Sequence, residues 1–407
     1  MRILVVSQYF WPESFRINEI VSSLAERGHD VSVLTAKPNY PEGEIHAGYS
    51  AWRCERSVWS GAGIFRVPIV PRGKKSALGL ILNYLSFVVS AATLGTWMLR
   101  KSRPDVIYVY APSPLLQALP ALLLGRIKGV PVVLNVQDLW PESLEATGYV
   151  VNRRAIRLVE HVVRFIYRHT DAILVSSRPF RESVARFSPA ADIIYYPNSV
   201  DSAFCNPEAG TPVDVPALSE GFCVVFAGNV GAAQAVRVIV GAAERLADSP
   251  GIRLVVLGGG SELDWMRLQK EEKHLSNLHL AGRFPVETMP FLLAKASALL
   301  VTLAGHPIFA ATVPNKIQAY LAVGRPIIAC MNGEGGRIVE EAGAGLTVPA
   351  EDADKLAAAI LGLASRSREE LDAMGLCGRA YYRTHFDHEK LVSDLIGHFC
   401  AVAGKGK

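Results

Sequence analysis

Short apolar runs rich in Val and Ile alternate with helical patterns along nearly the whole chain. This alternation predicts parallel sheets with helices on both faces, because a strand buried on both sides reaches its parallel neighbour through a crossover helix. In the first half the predicted strands are 3–6, 31–34, 64–67, 106–110, 132–136, 172–175 and 193–196; in the second they are 222–227, 253–257, 278–281, 298–302 and 326–329. Between the two sets lie Pro197-Asn-Ser-Val-Asp201 and the polar, proline-rich stretch 206–216, the best linker in the sequence. Each half has strands enough for its own doubly wound sheet, and ligands of such sheets bind beyond the carboxyl ends of the strands, so a cleft between two domains is the expected active site. The predicted organisation is a first domain over 1–201, a linker over 202–220, a second domain over 221–385, and a final helix in 386–407 packing back towards the first domain.

One run departs from the soluble pattern. Residues 77–99 carry no charge over 23 positions, with Arg72, Lys74 and Lys75 before them and Arg100, Lys101 and Arg103 after. Length and basic flanks fit a membrane helix. Asn83, Ser86, Ser90, Thr93 and Thr96 dilute the run, and a helix enclosed in an α/β domain is also apolar on most faces. The reading adopted is a helix packed in the first domain with one face reaching lipid, its basic flanks attracted to an anionic surface; a true span is the alternative.

At 407 residues and 50% hydrophobic content the chain exceeds one ordinary core and is not a disordered polymer. A net charge of +4 suits anionic substrates or a membrane surface and falls far short of a nucleic-acid footprint. Six scattered cysteines, with no Cys-x-x-Cys pair, suggest neither a disulfide framework nor a metal site, so a reducing cytoplasm is the simplest setting. The opening apolar stretch is too short for a signal peptide.

The stretch from Ala310 through Val313-Pro-Asn-Lys316-Ile-Gln318 looks like a ligand-facing loop running into an apolar helix. First-turn N–H groups lack intrahelical partners and carry the positive end of the dipole, so they favour an anion. Pro314 fits the first turn, and Lys316 just inside it can reach a diphosphate as a point charge. An ordinary helix start with a solvated lysine reads equally well from this segment alone.

Taken together, several motifs resemble a family: the retaining GT-B glycosyltransferases of family 4, in the bacterial branch that assembles surface polysaccharides on a lipid carrier. The motifs are Arg27-Gly-His-Asp-Val-Ser-Val-Leu-Thr35, Lys37-Pro-Asn-Tyr-Pro-Glu-Gly43, Val136-Gln-Asp-Leu-Trp-Pro-Glu-Ser143, Tyr196-Pro-Asn-Ser-Val-Asp201, Phe226-Ala-Gly-Asn-Val-Gly231, and the Lys316 segment through Gly333-Glu-Gly-Gly336. The resemblance implies an α/β GT-B fold of two Rossmann-like domains, the second holding a nucleotide-diphosphate sugar and the first presenting the acceptor. It puts Gly228, Asn229 and Gly231 under the donor diphosphate, where glycines let backbone N–H groups approach phosphate. Thr312, Val313, Lys316 and Gln318 join that donor set, with Arg283 and Glu334 as further candidates.

The chain departs from the family pattern in three places. Asn229 and Gln234 stand where many members carry an arginine and a lysine, so the loop lacks two positive charges that Lys316 or Arg283 would have to supply. The family's paired glutamates fall on Ala310 and Gln318. Gln318 can still hydrogen-bond ribose hydroxyls, whereas Ala310 cannot grip a sugar hydroxyl. That loss suits a deoxy or N-acetylated donor sugar, unless Glu334 fills the gap.

The resemblance also implies a metal-independent reaction without a cofactor or covalent intermediate, in which phosphate of the leaving group takes the acceptor proton. Asp138, just after the strand 132–136, is the acidic candidate on the acceptor side, its alternative being a cap of the following turn. Glu13 and Arg16, after the first strand, are placed with the acceptor. The expected partners are a uridine-linked nucleotide-sugar, a lipid-linked glycan and the inner membrane surface, with no nucleic acid. A catalytically silent binding scaffold and a sugar-nucleotide epimerase of the same fold are the rival readings.

Overall fold

A computed structural model describes residues 1–73, 77–146 and 152–405. Lys74 and Lys75, part of the basic flank before the apolar run, lie outside the described residues. The chain forms two compact units, Met1–Pro197 with Glu389–Lys407, and Asn198–His388.

The first unit is built on eight strands: β1 (Arg2–Val6), β2 (Asp30–Thr35), β3 (Glu55–Trp59), β4 (Ala62–Arg66), β5 (Val106–Ala111), β6 (Val132–Val136), β7 (Ala172–Val175) and β8 (Ile193–Tyr195). Their order is β3-β4-β2-β1-β5-β6-β7-β8, parallel except for the β3–β4 pair. Alternate residues face opposite layers, as the two-residue period of a strand requires. Ile3, Val5, Val31, Val33 and Tyr108 pack with the helices Ile17–Glu26 and His388–Lys405. On the other side Leu34 meets Gly95, and Ile107 and Val132 meet Gly125. Within this unit Arg27 ties the last helix down by an ion pair to Glu389 at 2.6 Å and a hydrogen bond to the Ser393 hydroxyl at 2.9 Å.

The second unit holds six parallel strands, β9 (Phe222–Asn229), β10 (Ile252–Gly259), β11 (Leu278–Gly282), β12 (Ala298–Thr302), β13 (Ile327–Cys330) and β14 (Gly345–Val348), in the order β11-β10-β9-β12-β13-β14. The strand order reverses at β1/β5 in the first sheet and at β9/β12 in the second, and these are the crevices where a doubly wound sheet receives its ligand.

Two expectations are corrected, and a third, the packed helix over the apolar run, is met. The supposed linker is no free tether: it folds as the short turns Ser202–Cys205, Pro207–Ala209 and Pro216–Leu218, and Val200, Val215 and Leu218 enter the second unit's core. Strands β3 and β14 escape the apolar-run criterion because each is an edge strand; β3 is mostly exposed and β14 is short and only half-buried. The apolar run forms the crossover from β4 to β5, an α-helix Ala77–Ser90 passing through a π-turn Ala91–Gly95 into Thr96–Met98. Its inner side is packed and hydrogen-bonded: Phe87 is fully buried, and Asn83 accepts from Gln8 Nε2 at 2.7 Å and donates to the Val70 carbonyl at 2.7 Å. Leu78–Met98 is nevertheless long and apolar enough to cross a membrane, with a mean hydropathy of 1.7.

Candidate active site

In the second unit the helix Asn315–Val323 lies with one face against the end of β9. Pro314 is the residue just before it, in extended backbone, so the helix begins one residue later than the first-turn proline expected. Lys316 and Tyr320, one turn apart, share the face towards β9. The Ala227 N–H donates to the Tyr320 hydroxyl at 3.1 Å, pinning the helix to the strand. Lys316 reaches over the ring of Phe226, its Nζ 3.6 Å from the centroid. That nitrogen is buried and has no hydrogen-bond partner. Burial draws its pKa down to about 7. The ring face offsets part of the cost of holding the ammonium there, but supplies no counter-charge.

Gly228 makes room for this lysine. Its φ is +122°, and a Cβ there would lie 2.9 Å from Lys316 Cε. Beyond it, Asn229 Nδ2 donates to Gln234 Oε1 at 2.9 Å, so the two amides that replace the family's cations bind each other. A Cβ on Gly231 would meet both of them, at 2.8 and 3.1 Å. The strand reading ended β10 before its glycines and missed Gly258-Gly259-Gly260, although a triple glycine after an apolar strand is a legible sign of close backbone approach. In the register Gly258 pairs with Gly228, and Arg283 lies across Gly259.

The other donor candidates divide. Gly333 (φ +81°) is pressed against Ala310, where a Cβ would come within 2.1 Å of the Ala310 carbonyl oxygen, so Glu334 does stand beside the position that lacks the family acid. Its carboxylate is gripped by Arg337 through two hydrogen bonds of 2.7 Å. Thr312 turns its hydroxyl back to the Ile308 carbonyl at 2.8 Å, and Val313 is buried. Gln318 is not brought together with Lys316: two residues on in a helix is roughly 200° round. It is 1% exposed, and its Oε1 has no hydrogen-bond partner. His306 caps the short helix Pro307–Ala311 by accepting from the Ile308 N–H.

In the first unit the loops after β1, β2, β4, β5 and β6, with the crossover helix, border a cavity of about 280 Å³. Tyr9, Phe15, Tyr40, Tyr84 and Trp140 wall it, and Arg72, Ser113, Asp138 and Ser143 supply polar groups. Tyr9 stacks on Phe15 with centroids 5.1 Å apart, and Arg72 lies over the Tyr40 ring at 5.6 Å. Burial pushes the Asp138 carboxyl up to about 6. No capping hydrogen bond from its side chain is found among the described residues. An aromatic wall with one poised carboxylate can stack a sugar ring and accept from a hydroxyl.

Glu13 stands elsewhere than expected. It is 3% exposed, and its carboxylate accepts from the backbone N–H groups of Phe10, Asn39 and Tyr40 at 3.2, 2.8 and 2.7 Å. It therefore orders the two loops that present Tyr9 and Tyr40 to the cavity, and its oxygens are engaged by the protein itself. Arg16 is paired with Glu19 at 2.6 Å and is not among the cavity's lining residues. Among the described residues no three His, Cys, Asp or Glu side chains gather as a metal site.

A model described as a glycosyl transferase 4-like domain matches residues 14–199, and one described as glycosyl transferases group 1 matches residues 221–366. WcaI of Escherichia coli (strain K12), provisionally named a colanic acid biosynthesis glycosyl transferase, is 27% identical over 339 residues, covering 80% of this chain and 82% of its own. Among solved structures, sucrose-phosphate synthase from Thermosynechococcus elongatus superposes with a TM-score of 0.74 at 18% identity, over 99% of each chain. Anabaena Alr3699/HepE, solved in complex with UDP and glucose, gives 0.68 at 14% identity over 98% of this chain and 99% of its own. Two domain matches in succession, on two doubly wound sheets whose switch points carry a glycine-lysine cradle and an aromatic-carboxylate cavity, lead to one conclusion: the chain belongs to the GT-B glycosyltransferases of family 4.

Proposed function

We propose that this glycosyltransferase moves a sugar, with retention, from a uridine diphosphate donor to a lipid-linked glycan at the inner membrane surface, in surface polysaccharide assembly. The observation that carries the reading is Lys316: a buried amine beside Gly228, with no acceptor for its protons and no counter-charge, is completed by an anion. The WcaI likeness and the UDP and glucose bound in the HepE structure support the polysaccharide and nucleotide parts of the proposal.

In the proposed step a bond forms between the acceptor oxygen and the anomeric carbon while the bond from that carbon to the diphosphate breaks. The acceptor proton passes to the leaving phosphate oxygen. Lys316 and the amides of the Gly228 loop stabilise the charge growing on the diphosphate, and Asp138 orients the acceptor hydroxyl. No metal is expected to be required, so activity should survive a chelator. With Ala310 in place of the family acid, a deoxy or N-acetylated donor sugar is favoured.

The test is thermal stability with uridine, guanosine and thymidine diphosphates, for the wild type and Lys316→Ala, because a ligand that binds only the folded form raises the melting temperature. A shift with uridine diphosphate that vanishes in the variant is the expected result. Release of the nucleotide from a sugar donor then separates an enzyme from a binding scaffold, and conversion of the donor to its epimer without acceptor indicates the epimerase.

A further inference from the structure

Apolar side chains exposed to water are not spread evenly over this chain. Of the nineteen large exposed hydrophobic residues among those described, eleven lie on three helices of one layer of the first unit. Leu78, Ile81, Leu85, Val89 and Trp97 stand out from the crossover helix, with Leu78 66% and Trp97 59% exposed. Leu123 and Ile127 continue the face on the helix Ala118–Lys128, and Leu158 and Phe165 on the helix Arg153–Arg168. The three run side by side, the middle one touching both neighbours. A folded protein rarely leaves so extended an apolar layer uncovered.

The charges on the same helices are one-sided. The helices Ala118–Lys128 and Arg153–Arg168 carry seven Lys and Arg against the single acid Glu160, and the described part of the crossover helix carries no charge. Arg126, Arg157 and Arg164 are exposed, and Arg100, next to the crossover helix, lies over the Trp97 ring at 4.5 Å. Apolar side chains flanked by cations, with an indole and a guanidinium paired at the edge, match the boundary between headgroups and acyl chains of an anionic bilayer. A second copy of the chain fits less well, since two such faces would set the same positive charge against itself.

We infer that this three-helix layer docks on an anionic lipid bilayer, the helices lying in the headgroup region rather than crossing it. The inner side of the crossover helix argues against crossing: Asn83, Phe87 and Ala91 are fully buried within the unit. Docking would also place the acceptor cavity well, because Leu80 and Tyr84 of the same helix form part of its wall. The inference deepens the proposed function's placement at the inner membrane surface and rests on that part of it; nucleotide binding by the second unit tests the donor part separately.

The test is co-sedimentation of the full chain with phosphatidylcholine vesicles, alone or with about 30 mol% phosphatidylglycerol, while Trp97 emission is followed. Strong binding to the anionic vesicles, a blue shift that Trp97→Phe abolishes, and release by salt or at alkaline pH without detergent are expected. Ile127→Glu with Phe165→Glu, and separately Arg126→Glu with Arg157→Glu, should each weaken binding about tenfold or more. Both variants should keep the wild-type melting temperature and uridine diphosphate affinity. Equal binding to neutral vesicles, or binding that neither pair weakens, would overturn the inference. So would a lipid-free dimer that the Ile127 and Phe165 substitutions dissociate, or retention in the membrane after alkaline extraction.

Discussion

Burial moves Lys316 and Asp138 away from their ordinary ionisation in opposite directions, and each leaves a signature in pH. Asp138 has a folded pKa near 6 against 3.8 in the unfolded chain. The folded protein therefore holds the extra proton between those values, and stability falls as pH rises from about 4 to 6. Asp138→Asn should abolish that slope and raise stability at pH 7, by about 3 kcal/mol at most. If Asp138 orients the acceptor, the same substitution should lower kcat by about 100-fold or more while leaving nucleotide affinity unchanged. Chemical denaturation from pH 4 to 8, with turnover of the variant, checks both; a variant no more stable and equally active would contradict the assignment. For Lys316 the folded pKa is the lower one, about 7 against 10.5, so the cost of burying the ammonium is fully present below 7 and is relieved between 7 and 10.5. A bound diphosphate restores the charge, so affinity should fall with rising pH above 7, by up to about tenfold per unit.

The contacts that form the sites lie between elements. Gly228 ends one strand and Lys316 begins a helix far along the chain, yet a Cβ on the glycine would push directly into the lysine stem. Gly228→Ala should weaken uridine diphosphate binding about as much as removing the lysine, with a loss of about 1–3 kcal/mol in stability for the strained φ. Gly362→Ala, on an open helix face, is the matched control and should cost nothing by clash. Calorimetry and melting curves decide it, and normal nucleotide binding by Gly228→Ala would rule out the cradle. The sequence made much of this legible. Apolar runs located twelve of the fourteen strands, because a parallel strand covered on both faces must be continuously apolar. It hid β3 and β14, whose edge positions relax that demand. The glycine-lysine pairing was legible as two motifs, but not the phenol of Tyr320 on the Ala227 N–H, since a polar tip inside an apolar helix has no periodic sign. Glu13 misled because residue type and position after β1 match a ligand, whereas three converging backbone N–H groups appear only when the loops close.

At the scale of the molecule the division of labour is set by topology. Each unit has one reversal in its strand order, and each reversal carries one set of chemistry: a cation and glycine loops in the second unit, a carboxylate and aromatic walls in the first. On the proposed reading the family contacts absent here, at Ala310, Asn229 and Gln234, would all belong to the donor side, which would concentrate the electrostatic role on Lys316. The most direct measurement is the calorimetric affinity of uridine diphosphate at pH 8, where the folded lysine is mostly neutral, for the wild type and Lys316→Met, a change that keeps the length of the stem and removes the charge. A loss of about tenfold to 100-fold, with proton uptake on binding to the wild type only, is the predicted result. Equal affinity and equal proton uptake in the two proteins would contradict the account and return Lys316 to a packing role.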